Sequence, residues 1–448
     1  MDGRVQIVGG GLAGSECAWQ LARRGIPVTL WEMRPNEATP AHQTADLAEL
    51  VCSNSLRSDD PLHAAGLLKR EMESLGSLII ATARAAAVPA GAALAVDRHL
   101  FARGITRALE SEPAIEIRRQ EAARLPEGPT VVATGPLTSP RLSRRLAELL
   151  GSDHLYFYDA ISPVVEADSL DRDTLFAASR YGKGSGDDYL NAALDRSLYT
   201  NFVAALREAD VVPLRSFEKA LFFEGCLPVE ELARRGEDTL RFGPMKPVGL
   251  TAPDGTRPWA VVQLRQEDLA RSQYSLVGFQ SRLRWPEQRR VLRMIPGLEN
   301  AAFVRLGQVH RNTFINSPMH LDATYRLRTE PRLRFAGQIT GVEGYLESAA
   351  TGVAVGIYLG RELAGRPCAP LPPSTALGSM ARHVTECDAR RFQPANVNYG
   401  LFPPLEGRVP KRERRAAFAA RARRDLETWA VDNGIELRPL RDGLAATG

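Results

Sequence analysis

The sequence predicts an α/β protein: a Rossmann-like dinucleotide-binding domain, an inserted α+β domain and a basic helical C-terminal tail. Three observations predict it. The chain opens as strand, glycine loop, helix and strand, the order of a βαβ unit. A second strand followed by a glycine-rich turn and a helix appears far along the chain, at residues 332–364, so the first domain is interrupted. Residues 408–424 carry eight Arg or Lys against one acid, Glu413.

The elements follow in order. Residues 4–8 (Arg-Val-Gln-Ile-Val) read as a short buried strand, and Gly9-Gly10-Gly11-Leu12-Ala13-Gly14 as the loop. Residues 12–24 read as a helix ending at Gly25, a natural C-cap. Pro27 to Trp31 form the next strand, which closes at Glu32. Residues 38–65 read as a long polar loop and 65–85 as helical. Residues 129–135 form another buried strand. From about 160 to 300, strand and helix signals mix with many Pro and Gly, as in an inserted domain. Residues 332–336 return to a strand, and a helix follows over 346–364. The proline-rich connector Pro367 to Pro373 leads into the basic tail. These limits divide the chain into a first part of the dinucleotide domain (1–165), an inserted substrate domain (166–300), a second part (301–375) and a C-terminal region (376–448).

Composition narrows the function classes. The chain has 448 residues, too many for one simple core, and a formal net charge of +4. A mild positive balance admits nucleic acid without requiring it. Only five of the 57 basic residues are lysine. Arginine suits phosphate, though a compositional bias of the source genome explains the excess more simply. No apolar run reaches membrane-spanning length, and Arg4 leads straight into a strand and not into a signal peptide. Five widely spaced cysteines, with no CxxC or Cys/His cluster, predict free thiols, no metal and a reducing, cytoplasmic setting.

Each glycine of the loop has a physical reason. Gly9 allows the tight turn, Gly11 lets backbone approach a pyrophosphate, and Gly14 lets the helix pack on the strand. Gly10, Leu12 and Ala13 complete a backbone that offers N–H groups and a positive dipole end to phosphate. Glu32 stands where a carboxylate bonds ribose hydroxyls, and Arg34 joins the same set. NAD, FAD and S-adenosylmethionine sites all share such a loop. The second segment points to FAD. Leu333 to Gln338, then Gly341 to Tyr345, resembles the strand, Ala-Gly turn and helix with which many flavoproteins close over the flavin. The contributing residues are Gly337, Gln338, Gly341 and Gly344; Gln338 stands where those proteins often carry Asp. The first domain is thus a Rossmann-like FAD-binding domain.

Further segments carry a closer resemblance. They include Thr39-Pro40-Ala41-His42, Val51-Cys52-Ser53-Asn54-Ser55-Leu56, Gly66-Leu67-Leu68-Lys69 and Phe223-Glu224-Gly225-Cys226-Leu227-Pro228. Arg241 to Leu250, Met294 to Asn300 and His310-Arg311-Asn312-Thr313 continue the series. Together they resemble the folate- and FAD-dependent tRNA (uracil-5-)-methyltransferase family, which makes ribothymidine in the T-loop. Two departures stand out: His63 replaces a usual Asn, and Asn191-Ala192-Ala193 replaces an Asn-Cys-Pro. The second removes a third candidate cysteine.

The resemblance implies methylenetetrahydrofolate as carbon donor, reduced FAD as hydride source and methylene carrier, and NADPH or NADH as reductant. The chemistry explains the cysteines. Uracil C5 is a poor nucleophile until a thiolate adds at C6, so a reactive cysteine is needed. A free cysteine is more often simply buried, and the resemblance is what assigns Cys226 as the C6 nucleophile. Cys52 is assigned to the handover of the methylene or to removal of the C5 proton, and the two roles stay open, as does a swap with Cys226. Cys17, Cys368 and Cys387 carry no expected chemistry. The resemblance places His310 against the pterin, and Lys246, Arg265 and Glu343 are further pocket candidates. Arg98 reads either as a phosphate contact or as one half of an ion pair. In the tail, Lys411, Arg412 and Arg415 are candidate tRNA contacts, with Phe418, Ala422, Leu426 and Trp429 on the packed face. A solvated helix face reads equally well there. The alternatives are a related FAD-dependent oxidoreductase, another tRNA-modifying flavoprotein, or a flavin-bearing RNA-binding protein.

Overall fold

The structure is a computed structural model that describes residues 3–37, 39, 41–151, 155–213 and 227–440, with the backbone alone of 155–159, 310 and 311. Cys226 lies outside the described residues. Strand β1 (Val5–Val8) runs into helix α1 (Leu12–Ala22), and β2 (Val28–Trp31) lies parallel to β1 with Val5 opposite Val28. The turn after α1 closes at Gly25, whose φ of 74° is left-handed.

The stretch predicted as a long loop holds one strand, β3 (Ser55–Ser58). The predicted helix over 65–85 is two helices, α2 (Ala64–Ser74) and α3 (Leu78–Ala85), parted at Gly76. Glu16 of α1 caps the second one. Its carboxylate accepts from Ser77 Oγ at 2.7 Å and Ile79 N at 2.9 Å. Strands β4 (Ala87–Val88) and β5 (Ala93–Val96) join β3 in an antiparallel sheet of order β3-β5-β4. Helix α4 (Arg98–Glu110), β6 (Ile115–Arg118), β7 (Thr130–Val132) and α5 (Pro140–Leu150) follow.

The chain then crosses on β8 (Leu155–Ala160) into a second layer built from β9 (Val164–Glu166), β10 (Phe176–Ala177), β11 (Tyr189–Leu194) and α6 (Arg196–Glu208). Helices α7 (Val229–Arg235) and α8 (Thr239–Phe242), strands β12 (Ala260–Gln266) and β13 (Gln273–Leu276), α9 (Trp285–Leu292) and β14 (Phe303–Arg305) complete it. The six strands lie in the order β10-β11-β12-β13-β9-β14. Alternation along β12 sorts its side chains. Ala260, Val262 and Leu264 enter the inserted core with Phe202 and Phe279. Gln263 and Arg265 turn to the opposite face.

Strand β15 (Val309–Phe314) returns antiparallel to β8. Helix α10 (Ser317–His320), β16 (Leu333–Phe335) and α11 (Tyr345–Leu363) rebuild the first domain. Its all-parallel sheet has the order β16-β7-β1-β2-β6. Helix α11 presses on α1 through Gly352 and Gly356, one turn apart. A Cβ at Gly352 would sit 2.3 Å from Ala13 O, and one at Gly356 would sit 2.6 Å from Gln20 Cβ. Only small residues admit that approach, and it brings α11 at Gly352 beside Ala13 of the dinucleotide loop.

The C-terminal region is no free tail. Helix α12 (Ala376–Glu386) is buried in the first core, and α13 (Arg414–Asp432) packs on it through Ala422, Leu426 and Trp429, the predicted face. Phe418 is half-buried and stacks on Tyr399 at 4.9 Å. The buried Glu71 of α2 ties α12 down, accepting from Ala376 N at 2.7 Å and Leu377 N at 2.9 Å. Burial pushes this carboxyl up to about 8 from 4.5, against the pull of those two N–H groups. The folded chain therefore keeps a proton that the unfolded chain loses above 4.5. That contribution to stability is full below 4.5 and is lost as pH rises through about 8. The wild-type Tm is expected to fall more steeply between those limits than that of Glu71→Gln; equal slopes in parallel thermal melts would contradict this. Among the described residues, no helix is long and apolar enough to cross a membrane, and no group of three or more His, Cys, Asp or Glu could hold a metal.

Candidate active site

The dinucleotide loop divides its glycines between packing and space. A Cβ at Gly14 would lie 1.8 Å from Gly9 O, so α1 can rest on the loop only without one. At Gly11 a Cβ would meet nothing within 4 Å. No side chain caps α1 and no acid occupies its first turn. Its leading N–H groups and positive end are thus open to an anion. Glu32 lies beneath, 6% exposed, and accepts from Gly10 N at 3.1 Å. Burial pushes its carboxyl up, but hydrogen bonds and charge from Arg34 outweigh this and hold it below the usual value. Arg34 is itself buried. It holds Glu32 at 2.9 Å and Glu49 at 3.1 Å, so it acts on the loop through Glu32. Leu12 and Ala13 are buried, and Ala13 also meets the second segment: a Cβ at Gly337 would sit 2.9 Å from Ala13 Cβ.

The second segment is tightly wound. Gly337 N donates to Thr351 Oγ1 at 2.6 Å. Gln338 donates to the buried Glu343 at 2.6 Å, so these two predicted residues meet each other. Gly341 lies under the ring of Phe392, and Gly344 faces Glu347 and Asn396. The region from 392 to 397 thus braces the turn, and Val342 bridges in parallel to Ala395.

Cys52 sits where both domains meet. Its backbone N–H donates to Tyr345 Oη at 2.5 Å, and that of Ser53 to the same oxygen at 3.2 Å. Tyr345 opens α11, directly after Gly344. Its hydroxyl is pushed well above the ordinary range by burial and by the neighbouring thiol. From the inserted sheet, Arg305 donates to Val51 O at 2.8 Å and Cys52 O at 3.0 Å. Arg265 donates to Asn54 Oδ1 at 2.7 Å and Ser53 Oγ at 2.9 Å. Asn54, fully buried, donates to Val96 O and Gln266 O, both at 3.0 Å. Arg98 adds a bond to Leu50 O and pairs with Glu267. Burial raises the Glu267 carboxyl, but Arg98, Arg265 and Arg305 together bring it below its ordinary value. Burial and Arg98 lower the Arg305 guanidinium, while Glu267 and Cys52 act to keep it charged. Three guanidinium groups thus hold the loop that carries the half-buried Cys52, and its thiol donates to Ala160 O at 3.6 Å.

The other candidates are placed as follows. Cys17 is buried, and burial pushes its thiol up to about 12, which suits packing. Cys368 and Cys387 are half-buried. The backbone of His310 pairs with Asp159 in β15 and β8. Lys246 is exposed, and its carbonyl accepts from Arg180. Lys411 is exposed, Arg412 pairs with Glu413 at 3.2 Å, and Arg415 reaches His63 Nε2 at 3.2 Å, pinning α13 to the loop before α2. Tyr345, Arg305, Asn54 and Glu267 join the candidate site and were not singled out from the sequence. Asn54 and Tyr345 were within reach, since each lies inside one of the motif segments, Val51 to Leu56 and Gly341 to Tyr345. No local signal marks Arg305.

Residues 4–367 match the family described as glucose inhibited division protein A. A Geobacter sulfurreducens protein named methylenetetrahydrofolate--tRNA-(uracil-5-)-methyltransferase TrmFO is 58% identical over 431 residues, spanning 96% of this chain and 99% of that protein. A Heliobacterium modesticaldum protein of the same name is 55% identical over 434 residues, spanning 96% and 99%. Among solved structures, Aquifex aeolicus GidA shares the fold with a TM-score of 0.65 at 16% identity, covering 94% of this chain and 74% of that one. Identity of this order, spread along nearly all of both chains, establishes that the protein belongs to the methylenetetrahydrofolate–tRNA-(uracil-5-)-methyltransferase family.

Proposed function

We propose that the protein methylates C5 of a T-loop uridine in tRNA, giving ribothymidine, with methylenetetrahydrofolate as carbon donor. The observation that carries this reading is the near full-length identity to proteins bearing that name. The geometry supports it. The loop around Gly11 fits a pyrophosphate, with Glu32 beneath it for a ribose and the Gly337–Gly344 turn to close over a flavin. FAD bound there and reduced by NADPH or NADH would supply the hydride and carry the methylene. Cys226 adds as thiolate to uracil C6, which makes C5 nucleophilic. Cys52 takes part in the methylene handover or removes the C5 proton. Tyr345 and Arg305 hold the Cys52 backbone in place from opposite sides. His310 serves the pterin, with Lys246, Arg265 and Glu343 as pocket residues. Lys411, Arg412 and Arg415 meet tRNA phosphates. The reaction belongs to the cytoplasm, with the inserted sheet, which runs past residue 300 to Arg305, on the substrate side of the site.

Removing the Arg305 clamp tests the site. Arg305→Leu leaves the Val51 and Cys52 carbonyls without their charged donor, a loss of about 1.5–3 kcal/mol. Methylation is expected to slow about tenfold to a hundredfold with bound FAD retained. An unchanged rate would remove Arg305 from the account. The function itself is tested by digesting unmodified tRNA after anaerobic incubation with holoprotein, NADPH and methylenetetrahydrofolate. Ribothymidine is expected by mass spectrometry, and none when either small molecule is omitted. No ribothymidine in the full mixture would overturn the proposal.

A further inference from the structure

The inserted sheet turns a polar face to the Cys52 loop, and that face continues past it. On β12, Arg265 holds Ser53 and Asn54. Gln263, two residues back and about 7 Å along the same face, accepts from Arg180 Nε at 2.8 Å. Arg180 also reaches the carbonyls of Lys246 and, at 3.1 Å, Val248. The next residue, Tyr181, is 66% exposed and has a left-handed φ of 60°. Its N–H donates to Gly249 O at 3.0 Å. Gly249 has a φ of 86°, and a Cβ there would come within 2.9 Å of the Tyr181 ring. An exposed aromatic ring is thus laid over a position that only glycine leaves open, in a backbone conformation that costs the chain energy.

The surroundings suit an anionic, aromatic partner. Phe242 is 80% exposed and Val248 53% exposed on the same segment as Lys246. Lys183 and Lys246 are both exposed. Of the nearby acids, the buried Asp188 accepts from Gly91 N at 2.5 Å and from Ser185, while the exposed Asp187 accepts from Ser185 Oγ at 2.6 Å and stands against the two lysines. Single-stranded RNA is recognised by stacking of its bases on such rings beside cations that follow its phosphates. A uridine whose C5 and C6 must be reached has to leave its stack, which bares the faces of the bases it stacked on.

We propose that Tyr181, with Phe242 and the flanking Lys183 and Lys246, is a stacking platform for unpaired bases of the RNA substrate, linked through Arg180, Gln263 and Arg265 to the Cys52 loop. This rests on tRNA being the substrate. The test measures kcat and KM for unmodified tRNA, and tRNA affinity by filter retention, in FAD-loaded full-length wild type, Tyr181→Ala, Tyr181→Phe and Phe242→Ala. Tyr181→Ala is expected to raise KM and weaken retention at least about fivefold, Phe242→Ala to shift both the same way, and Tyr181→Phe to stay near wild type. Equal bound FAD across the series shows that folding is intact. Unchanged KM and retention in Tyr181→Ala and Phe242→Ala overturn the platform and leave this surface to a protein partner. A wild type that makes no ribothymidine overturns the functional reading instead, and weaker retention in Tyr181→Ala then still upholds the platform.

Discussion

Cys226→Ala is expected to abolish methyl transfer to tRNA while the protein stays yellow with bound FAD. The reason is chemical. Without a thiolate at C6, uracil C5 never becomes a nucleophile, and nothing downstream can proceed. Loss of a covalent nucleophile costs about a thousandfold or more in rate. The dinucleotide loop expected to hold FAD, Gly9 to Gly14, does not include that side chain. Steady-state assays with flavin absorbance recorded on the same samples check both halves of the expectation. Normal methylation by Cys226→Ala would transfer the nucleophile's role to Cys52, the swap that the sequence leaves open.

The second large effect separates two glycines of one loop. Gly14→Ala is expected to damage the protein whether or not FAD is present. Its new Cβ would fall 1.8 Å from a backbone oxygen, Gly9 O, so α1 must lift from the loop. Overpacking of this kind costs about 3 kcal/mol, which is a large share of the stability of a domain. Gly11→Ala is expected to leave the apoprotein's Tm unchanged, because its Cβ meets nothing within 4 Å. It should instead weaken FAD, since that space is where backbone approaches a pyrophosphate. Tm and FAD affinity measured for both variants give the check. A Gly11→Ala protein that binds FAD as tightly as wild type would contradict the assignment of the loop.

The parts of the molecule legible from sequence are those written in short stretches. The opening βαβ unit, its glycine loop and the packed face of α13 each declare themselves within about 20 residues through period and punctuation. Strand β3 does not. Ser-Leu-Arg-Ser carries no alternating pattern, and it becomes a strand because β5 pairs with it. The C-terminal region read as a tail because the residue that secures α12, Glu71, lies some 305 positions upstream. The clamp on Cys52 was hidden for the same reason. Arg305 and Tyr345 reach the loop across 253 and 293 residues. Motifs could point to Cys52, but not to what holds it, because its supports come from two domains that only folding brings together.

One measurement bears most directly on the central claim. Holoprotein is incubated with unmodified tRNA, NADPH and methylenetetrahydrofolate labelled in the methylene carbon, and the position of the label in the tRNA is mapped. The account predicts label in the C5 methyl of the T-loop uridine. Reduction of FAD and binding of tRNA with no label at that carbon would contradict it.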